Sequence, residues 1–530
     1  MLGGATTGEA AAFARFAVAL PRHLRRRTPE SVRRARLLDE LAHREQHLCD
    51  QLALGIFDNP TSPYRPLFDH AGIELDDACA LVHELGVDEA LERFFDAGIR
   101  ISIEEFKGRA PIRRGSLEVP VDPAAFDSPQ LTRHFGGTTG GSSAKARPLT
   151  VDLRLLDSFA DVMWLFDEAF QLSGRPYAVW QPLPPSLAGI FNALTLPLCG
   201  GRVDRWFSHD KLSLQAASLR PALLTGISWL GARVASSGFG FPRHVPAGNA
   251  VVVARWLAEA VEAGTPGALM CTPSSAVRVC RAALEHGLDI SQTLLIFGGE
   301  PYTPSKAAVV DSVGARAVSS YGMSEIGAVG MPCGNPAEPD EAHVFTPRVA
   351  AIERQRELPW GANVRALYLT SLSPLSPKLM LNVESGDHAV LSDRDCGCPL
   401  QTAGLTRHMH SIRSYEKLTS EGMTLFGAAL EELVEQILPA RFGGGPNDYQ
   451  LLEEEEEGQT KVSVLVNPTV GTLEDGHVVD AVLAHLHGNN RVDAMMAEVW
   501  KGADTLRVLR IAPHMTGASK VLPLHVARSR

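Results

Sequence analysis

The chain has 530 residues, 45% of them hydrophobic, which is ample for buried cores and, at roughly 100–200 residues per domain, points to two to four domains. Acidic side chains number 61 against 50 basic ones, and a net charge of −11 is the wrong sign for binding nucleic acid phosphates or an anionic membrane surface. No stretch approaches about 18 uninterrupted apolar residues, so no membrane-spanning helix is expected, and the cysteines, mostly scattered singly, read as those of a cytoplasmic protein.

Residues 10–20 form an apolar run interrupted by Arg15 and followed, not preceded, by the basic cluster 22–27; this predicts an amphipathic helix rather than a signal segment. Helical spacing continues to about residue 130, as in Leu37, Leu38, Leu41, Leu48 and Leu52, with no comparable alternating strands. A Gly/Ser/Thr-rich loop follows at 136–143. Leu155, Phe159, Val162, Met163, Phe166 and Phe170 then mark one face of a helix that Gly174 is expected to end.

Between 175 and 330, apolar runs alternate with helical segments: 251–264 reads as helix, 293–297 and 315–320 as buried strands. Such alternation implies parallel βαβ units, in which ligands bind beyond the carboxyl ends of strands. Both strands run into unusual turns there, Gly298-Gly299-Glu300-Pro301 and Tyr321-Gly322-Met323-Ser324-Glu325. After residue 360 the pattern is strand-rich (364–370, 388–391). The final block shows a helix at 428–438, a strand at 462–466, a helix at 478–486 and a strand at 506–511. The acidic run Glu453 to Glu457 reads as the solvated tip of a hairpin. The expected fold is α/β: a large domain over 1–412, with a helical segment at 1–130 and an α/β core and strand-rich part at 131–412, and a small mobile α+β domain over 413–530.

Glycines in the 136–143 loop let backbone N–H groups turn toward an anion, and its hydroxyls add donors, so it suits phosphate; Ser142 stands where a Walker loop would have Lys. Alone, such a loop is an ordinary flexible turn. Five of the eight cysteines (Cys49, Cys79, Cys199, Cys271, Cys280) are scattered singly and read as reduced core residues. Cys396-Gly397-Cys398 is a tight two-thiolate turn, and Cys333 with His343 could supply the remaining two ligands of a closed structural Zn²⁺ site, with His388, His408 or His410 as alternatives to His343; reduced structural cysteines are the other reading.

Taken together, the motifs resemble those of the acyl-adenylate-forming enzymes, in particular the phenylacetate–CoA ligase branch. Gly137-Thr138-Thr139-Gly140-Gly141 resembles the family's phosphate loop, Phe297-Gly298-Gly299-Glu300-Pro301 its GxEP turn, and Tyr321-Gly322-Met323-Ser324-Glu325-Ile326 its YGxSE element. Ser385-Gly386-Asp387 takes the place of TGD, Ile412-Arg413 opens the crossover to the C-terminal domain, and Ser62-Pro63-Tyr64-Arg65 with 68–73 is similar to the segment before the core. The likeness spans nearly the whole chain in order.

The resemblance implies that Tyr321 stacks on adenine, that Ser320, Gly322, Met323, Ser324 and the turn at Gly299, Glu300 and Pro301 border the nucleotide, that Asp387 accepts from both ribose hydroxyls, and that Arg413 helps hold ribose and phosphate. Glu325 would hold Mg²⁺, while Gly137 to Ser142, with Thr139 in a catalytic role, grip the departing pyrophosphate. Lys520 resembles the C-terminal catalytic lysine, a cation able to bridge the attacking carboxylate and the α-phosphate. Outside that likeness, Tyr321 could be a buried aromatic, Asp387 a turn residue, Glu325 a helix N-terminal carboxylate and Lys520 a solvated tail residue.

Some members of the branch are similar at the cysteines and carry a structural zinc. Departures also occur. Tyr415 and Glu416 stand at the hinge, Glu421-Gly422 replaces Arg-Gly, and Leu425-Phe426-Gly427 replaces VFP. A negative charge at 421 is unhelpful to polyanionic CoA. The implied activity is ATP- and Mg²⁺-dependent formation of an acyl- or aryl-adenylate with transfer to a thiol, CoA first. An amide-forming relative and a catalytically silent nucleotide-binding relative are the alternatives. An aromatic acid is the favoured substrate, with Trp164, Trp180 and Phe191 as candidate pocket residues.

Overall fold

The computed structural model describes residues 7–526 apart from 27, 132–134, 139–140, 143–147, 185, 187, 200, 213–218, 236–238, 358–362, 415–416, 421–422, 427–429, 431, 446–447, 457–458, 490–496, 499, 503–504 and 515–523. Helices Thr7–Arg25, Glu30–Ala42, Arg44–Leu52, Arg65–Ala71, Leu75–Leu85 and Val87–Asp96 fill the N-terminal segment. The helical expectation to residue 130 stops early, because a hairpin pairs Ile112–Arg114 with Leu117–Val119. Short strands of three residues are below the length at which alternation can be read from sequence.

The α/β core is a six-stranded sheet in which every neighbouring pair is parallel, in the order Arg316–Ser319, Leu294–Phe297, Ala268–Cys271, Tyr177–Trp180, Arg205–Ser208, Arg243–His244. Its central strands are apolar on both sides because both faces are covered. Val179, Leu294 and Ile296 belong to one core, whereas Ala178, Trp180, Leu295 and Phe297 belong to the core on the opposite face. The helix Pro273–His286 has the local signals its ends require. Thr272 caps Ser275 N–H, Pro273 occupies the first turn where no N–H is needed, and Gly287 takes the left-handed conformation at φ 62°.

A second, seven-stranded antiparallel sheet follows in the order Tyr321–Met323, Gly327–Pro332, Ala342–Val344, Arg407–Ser414, Val383–Asp393, Asn363–Ser371, Val349–Glu357. Its first strand begins two residues after the last parallel strand ends, so Ser320 is the junction of the two sheets. The C-terminal unit has its own four-stranded sheet (Leu506–Leu509, Gln459–Val466, Tyr449–Glu456, Leu524–Val526), the helices Leu438–Phe442 and Asp475–Asn489, and a separate core that includes Leu433, Tyr449, Val464, Val482 and Trp500.

Three local expectations change. The apolar stripe at 155–170 is two helices, Arg154–Ala160 and Met163–Phe170, and Gln171 in the left-handed region, not Gly174, ends the second. The acidic run is not only a hairpin tip: Glu454 and Glu456 lie on the strand Tyr449–Glu456, and Arg507, reaching across the intervening strand Gln459–Val466, pairs with both. Cys199 is exposed at the end of the helix Ala188–Leu198, where Arg33 Nη1 lies 3.1 Å from its sulfur.

The break between the two helices sits at Asp161, whose carboxylate is buried against Arg36 and Arg348. Burial outweighs the two guanidinium groups and lifts this carboxyl above its ordinary value. Arg348 also binds Glu40 at 2.7 and 3.0 Å and the hydroxyl and carbonyl of Ser158. Removing its charge would take the partner from the half-buried Glu40 and leave the buried Asp161 with Arg36 alone. Arg348→Ala is therefore expected to lower unfolding free energy by about 3–5 kcal/mol, read from the midpoint of urea denaturation.

Candidate functional site

The carboxyl ends of the parallel strands carry the polar groups. Ser320 donates its backbone N–H and its hydroxyl to Phe297 O, at 2.9 and 2.6 Å, which locks the sheet junction against the neighbouring strand end. The next residue, Tyr321, donates its hydroxyl to Asp387 Oδ2 at 2.7 Å. Burial, with the Asp387 charge beside it, pushes the Tyr321 phenol well above its usual value, so it stays a donor. Gly322 has no room for a side chain, since a Cβ there would sit 2.9 Å from Gly327 O.

Asp387 is 4% exposed and lies on the strand Val383–Asp393, where its N–H donates to Ser385 Oγ at 3.1 Å and Ser385 in turn donates to Leu367 O. Glu325 follows the short strand from Tyr321 and accepts the Ser324 hydroxyl at 3.0 Å. At the adjacent strand end, Gly299 has φ 86° and Glu300 accepts Ser274 N–H at 3.1 Å, with Lys306 Nζ 3.9 Å away. Arg413 pairs with Asp340 at 2.7 Å. Tyr321, Asp387, Ser320 and the Glu300 turn thus converge on the junction of the two sheets.

Gly137 and Thr138 lie on the strand Phe135–Thr138, which pairs with Pro148–Val151, so the expected loop is the end of a hairpin. Gly141 and Ser142 pair in parallel with Thr424 and Leu425 of the hairpin Lys417–Ser420/Met423–Phe426. Thr139, Gly140, Lys520, Tyr415, Glu416, Glu421, Gly422 and Gly427 lie outside the described residues.

Cys333, His343, Cys396 and Cys398 place one ligand atom each within 4.8 Å of all the others. His343 Nε2 is 3.1 Å from Cys398 Sγ and 3.7 Å from Cys396 Sγ. A tetrahedral zinc with Zn–S of about 2.3 Å and Zn–N of about 2.05 Å needs sulfur–nitrogen edges of about 3.6 Å, so the donor set fits. His343 Nδ1 donates to Leu405 O at 2.6 Å, leaving Nε2 with its lone pair toward the thiols. Hydrogen bonds from Cys333 and from the backbone N–H groups of Gln401 and Gly334 hold the Cys398 thiol far below its ordinary value, which favours a thiolate. His408 lies against the His343 ring, tilted by 49° at 4.0 Å between centroids, and pairs with Glu341 instead of replacing it.

A small, shallow cleft, partly open to solvent, is lined by Ile326, the residue after Glu325, and by Phe159, Val162, Gly327, Ala328, Phe345 and Arg348, among others. Phe191 packs edge-on against Phe159 at 5.8 Å, one ring removed from it. Trp164 packs in a core under Arg34, and Trp180 is fully buried with its indole N–H on Val245 O; neither lines the cleft. Phe159 and Val162 belong to the apolar stripe visible in sequence, but Arg348 and Ser158 carry no local signal, because only the fold brings them beside residue 326.

No protein-family model matches the chain, and no curated protein does. Among solved structures, 2-hydroxyisobutyryl-CoA ligase in complex with 2-HIB-AMP and CoA in the thioesterification state is similar over 95% of this chain and 91% of its own, at 14% identity and TM-score 0.53. o-Succinylbenzoate CoA synthetase (MenE) from Bacillus subtilis matches over 78% of this chain and 72% of its own at 10% identity and TM-score 0.41. The chain has the fold of the adenylate-forming ligases, with its parallel sheet and its small C-terminal α+β unit.

One buried group at these strand ends titrates in an accessible range. His209, just past the strand Arg205–Ser208, lies on Trp180 at 4.6 Å with Nε2 3.2 Å from Ser275 Oγ, and its Nδ1 has no hydrogen-bond partner among the described residues. Burial, with Arg278 and His244 adding repulsion, holds it down to about 3. The unfolded chain then binds the proton first. The contribution of neutral His209 is complete above about pH 6.5 and is lost as pH falls from there toward 3, with a slope of at most about 1.4 kcal/mol per pH unit. His209→Gln is expected to flatten that part of the stability–pH curve, measured by urea denaturation between pH 4 and pH 8.

Proposed function

Given a chain with the fold of the adenylate-forming ligases, we propose an ATP-dependent carboxylate ligase that makes an acyl- or aryl-adenylate, releases pyrophosphate and passes the acyl group to a thiol, CoA first. The observation that carries this reading is the Tyr321–Asp387 hydrogen bond at the sheet junction, which sets an aromatic face beside a buried carboxylate. Tyr321 stacks on adenine, and Asp387 exchanges the phenol for the two ribose hydroxyls or shares them with it. Ser320, Gly299, Glu300, Pro301, Gly322, Met323 and Ser324 border the nucleotide, and Arg413 completes the ribose and phosphate contacts.

The acid enters the cleft beside Ile326, which begins one residue from Glu325. Arg348 faces that cleft already paired with Glu40 and Asp161, so the wall is electrically satisfied and suits an uncharged acyl tail. The carboxylate oxygen attacks the α-phosphorus, the bond to pyrophosphate breaks, and the Gly137–Ser142 segment, including Thr139, holds the leaving anion. Two anions approach one another in this step, and Lys520 supplies the bridging cation. Glu325 offers a hard carboxylate oxygen suited to Mg²⁺, which would neutralise phosphate charge. In the second half-reaction the thiol attacks the acyl carbon and AMP leaves.

Cys333, His343, Cys396 and Cys398 are proposed to hold a structural zinc that ties the segment after Tyr321 to the region before the crossover. Protein purified without chelator is expected to carry about one zinc per chain by elemental analysis, and Cys398→Ser to lose it with a lower melting temperature; metal-free wild-type protein contradicts the site.

Lys520→Ala is expected to slow acid-dependent pyrophosphate exchange by roughly 10²–10³ while ATP still binds. An unchanged exchange rate defeats the role given to Lys520. AMP release from a panel of acids that requires CoA supports the thiol acceptor, whereas release that requires an amine assigns a nitrogen acceptor.

A further inference from the structure

Lys306 is 2% exposed, although a lysine ordinarily keeps its ammonium in water. It stands in the first turn of the helix Pro304–Asp311, where unpaired N–H groups carry partial positive charge and disfavour a cation. Both circumstances cost free energy, so the side chain is held there by what it reaches. Thr303 caps the turn by accepting the Lys306 backbone N–H at 3.4 Å. From that start the side chain folds back toward the segment before the helix: Nζ donates to Pro301 O at 3.1 Å and lies 3.9 Å from Glu300 Oε2.

That segment, residues 298–303, leaves the carboxyl end of strand Leu294–Phe297. Glu300 and Tyr302 turn inward. The Glu300 carboxylate accepts the Ser274 N–H, and the Tyr302 ring lies edge-on to Phe297 at 4.7 Å. Gly299, with φ 86°, and Pro301 alternate with them; Gly299 is exposed and Pro301 half-buried, so these two make the outward side of the turn. Gly298 lies against Ser320, where a Cβ would meet Oγ at 3.3 Å, and this sets the turn beside the sheet junction.

Two consecutive glycines give the turn a backbone freedom that a preformed binding surface has to lose. The Lys306 ammonium supplies a restraint from one atom, because its three N–H donors can bond the Pro301 carbonyl while its charge faces the buried Glu300 carboxylate. The restraint comes from the helix that follows the turn, so it ties the turn to an element already packed on the parallel sheet.

We propose that Lys306 is a positioning residue for the nucleotide base: by holding Pro301 O and facing Glu300, it fixes the outward side of the 299–301 turn where that turn borders adenine. This rests on the adenylate-forming reading.

The test is calorimetric titration of the full-length protein with AMP, and with GMP in competition, which reports both affinity and the fraction of chains able to bind. Lys306→Met alone takes the ammonium from a buried carboxylate and destabilises the fold, so the comparison is made in a Glu300→Gln background, where Gln still offers an oxygen to the Ser274 N–H. Adding Lys306→Met to Glu300→Gln is expected to weaken AMP binding about 10-fold at unchanged stoichiometry, and GMP binding by less than about 2-fold, so that base selectivity falls. AMP affinity equal to that of Glu300→Gln alone means that Lys306 serves only to balance the Glu300 charge, and it overturns the proposal. So does a fall in stoichiometry at unchanged affinity, which reports lost folding, or an equal loss for AMP and GMP, which reports a general loosening of the site. A wild-type chain that binds no AMP removes the adenylate-forming reading and the proposal together, whereas binding by wild type with any of those three outcomes removes the proposal alone.

Discussion

The hydrogen bond between Tyr321 and Asp387 joins residues 66 positions apart, and it can form only because two sheets meet at Ser320. The parallel sheet delivers its last strand to that point and the antiparallel sheet starts there, so Tyr321 is fixed by both. Ser320, bonded twice to Phe297 O, prevents the junction from sliding. Asp387 comes from the other side of the antiparallel sheet and is oriented by Ser385. A short aromatic–carboxylate pair at a sheet junction therefore depends on the register of both sheets, and an error in either would separate the two side chains.

The segment Gly327–Val344 has a second task. It runs from the end of the Tyr321 element through Cys333, Asp340 and Glu341 to His343, and each of these touches the strand Arg407–Ser414 or the turn before it. The cysteine–histidine cluster and Asp340, which accepts the Ser411 and Ile412 N–H groups and pairs with Arg413, lie on one loop, three residues apart at their closest, and hold neighbouring parts of the crossover. Cross-linking by a closed tetrahedral site would restrict this loop without placing charge near the nucleotide. The geometry suits a rigid platform from which the C-terminal unit departs.

Much of this arrangement is legible in sequence, for identifiable reasons. The strands ending at Phe297 and Ser319 are short apolar runs closed by glycine- and proline-containing turns, so their carboxyl ends can be located without a structure. The proposed zinc ligands stand out because thiols are few and two of them flank a single glycine. What is not legible is set by pairing partners. The β-bulge at Ser411, where the pairing shifts between His388↔Arg413 and Val390↔His410, exists only relative to the strand Val383–Asp393, and Asp340 in isolation is one acid in an acidic, proline-rich loop. The helix break at Asp161 follows from buried arginines far away in the chain, which periodicity cannot anticipate. Trp164 and Trp180 are large aromatics in an α/β core, and their size marks burial more strongly than it marks ligand contact.

The claim on which the account turns is that the sheet junction is an adenylate site. A crystal structure of the protein with bound AMP tests it most directly. The account predicts the adenine ring against Tyr321 and both ribose hydroxyls within hydrogen-bonding distance of the Asp387 carboxylate. AMP bound elsewhere, with Tyr321 and Asp387 still paired and remote from it, would contradict it.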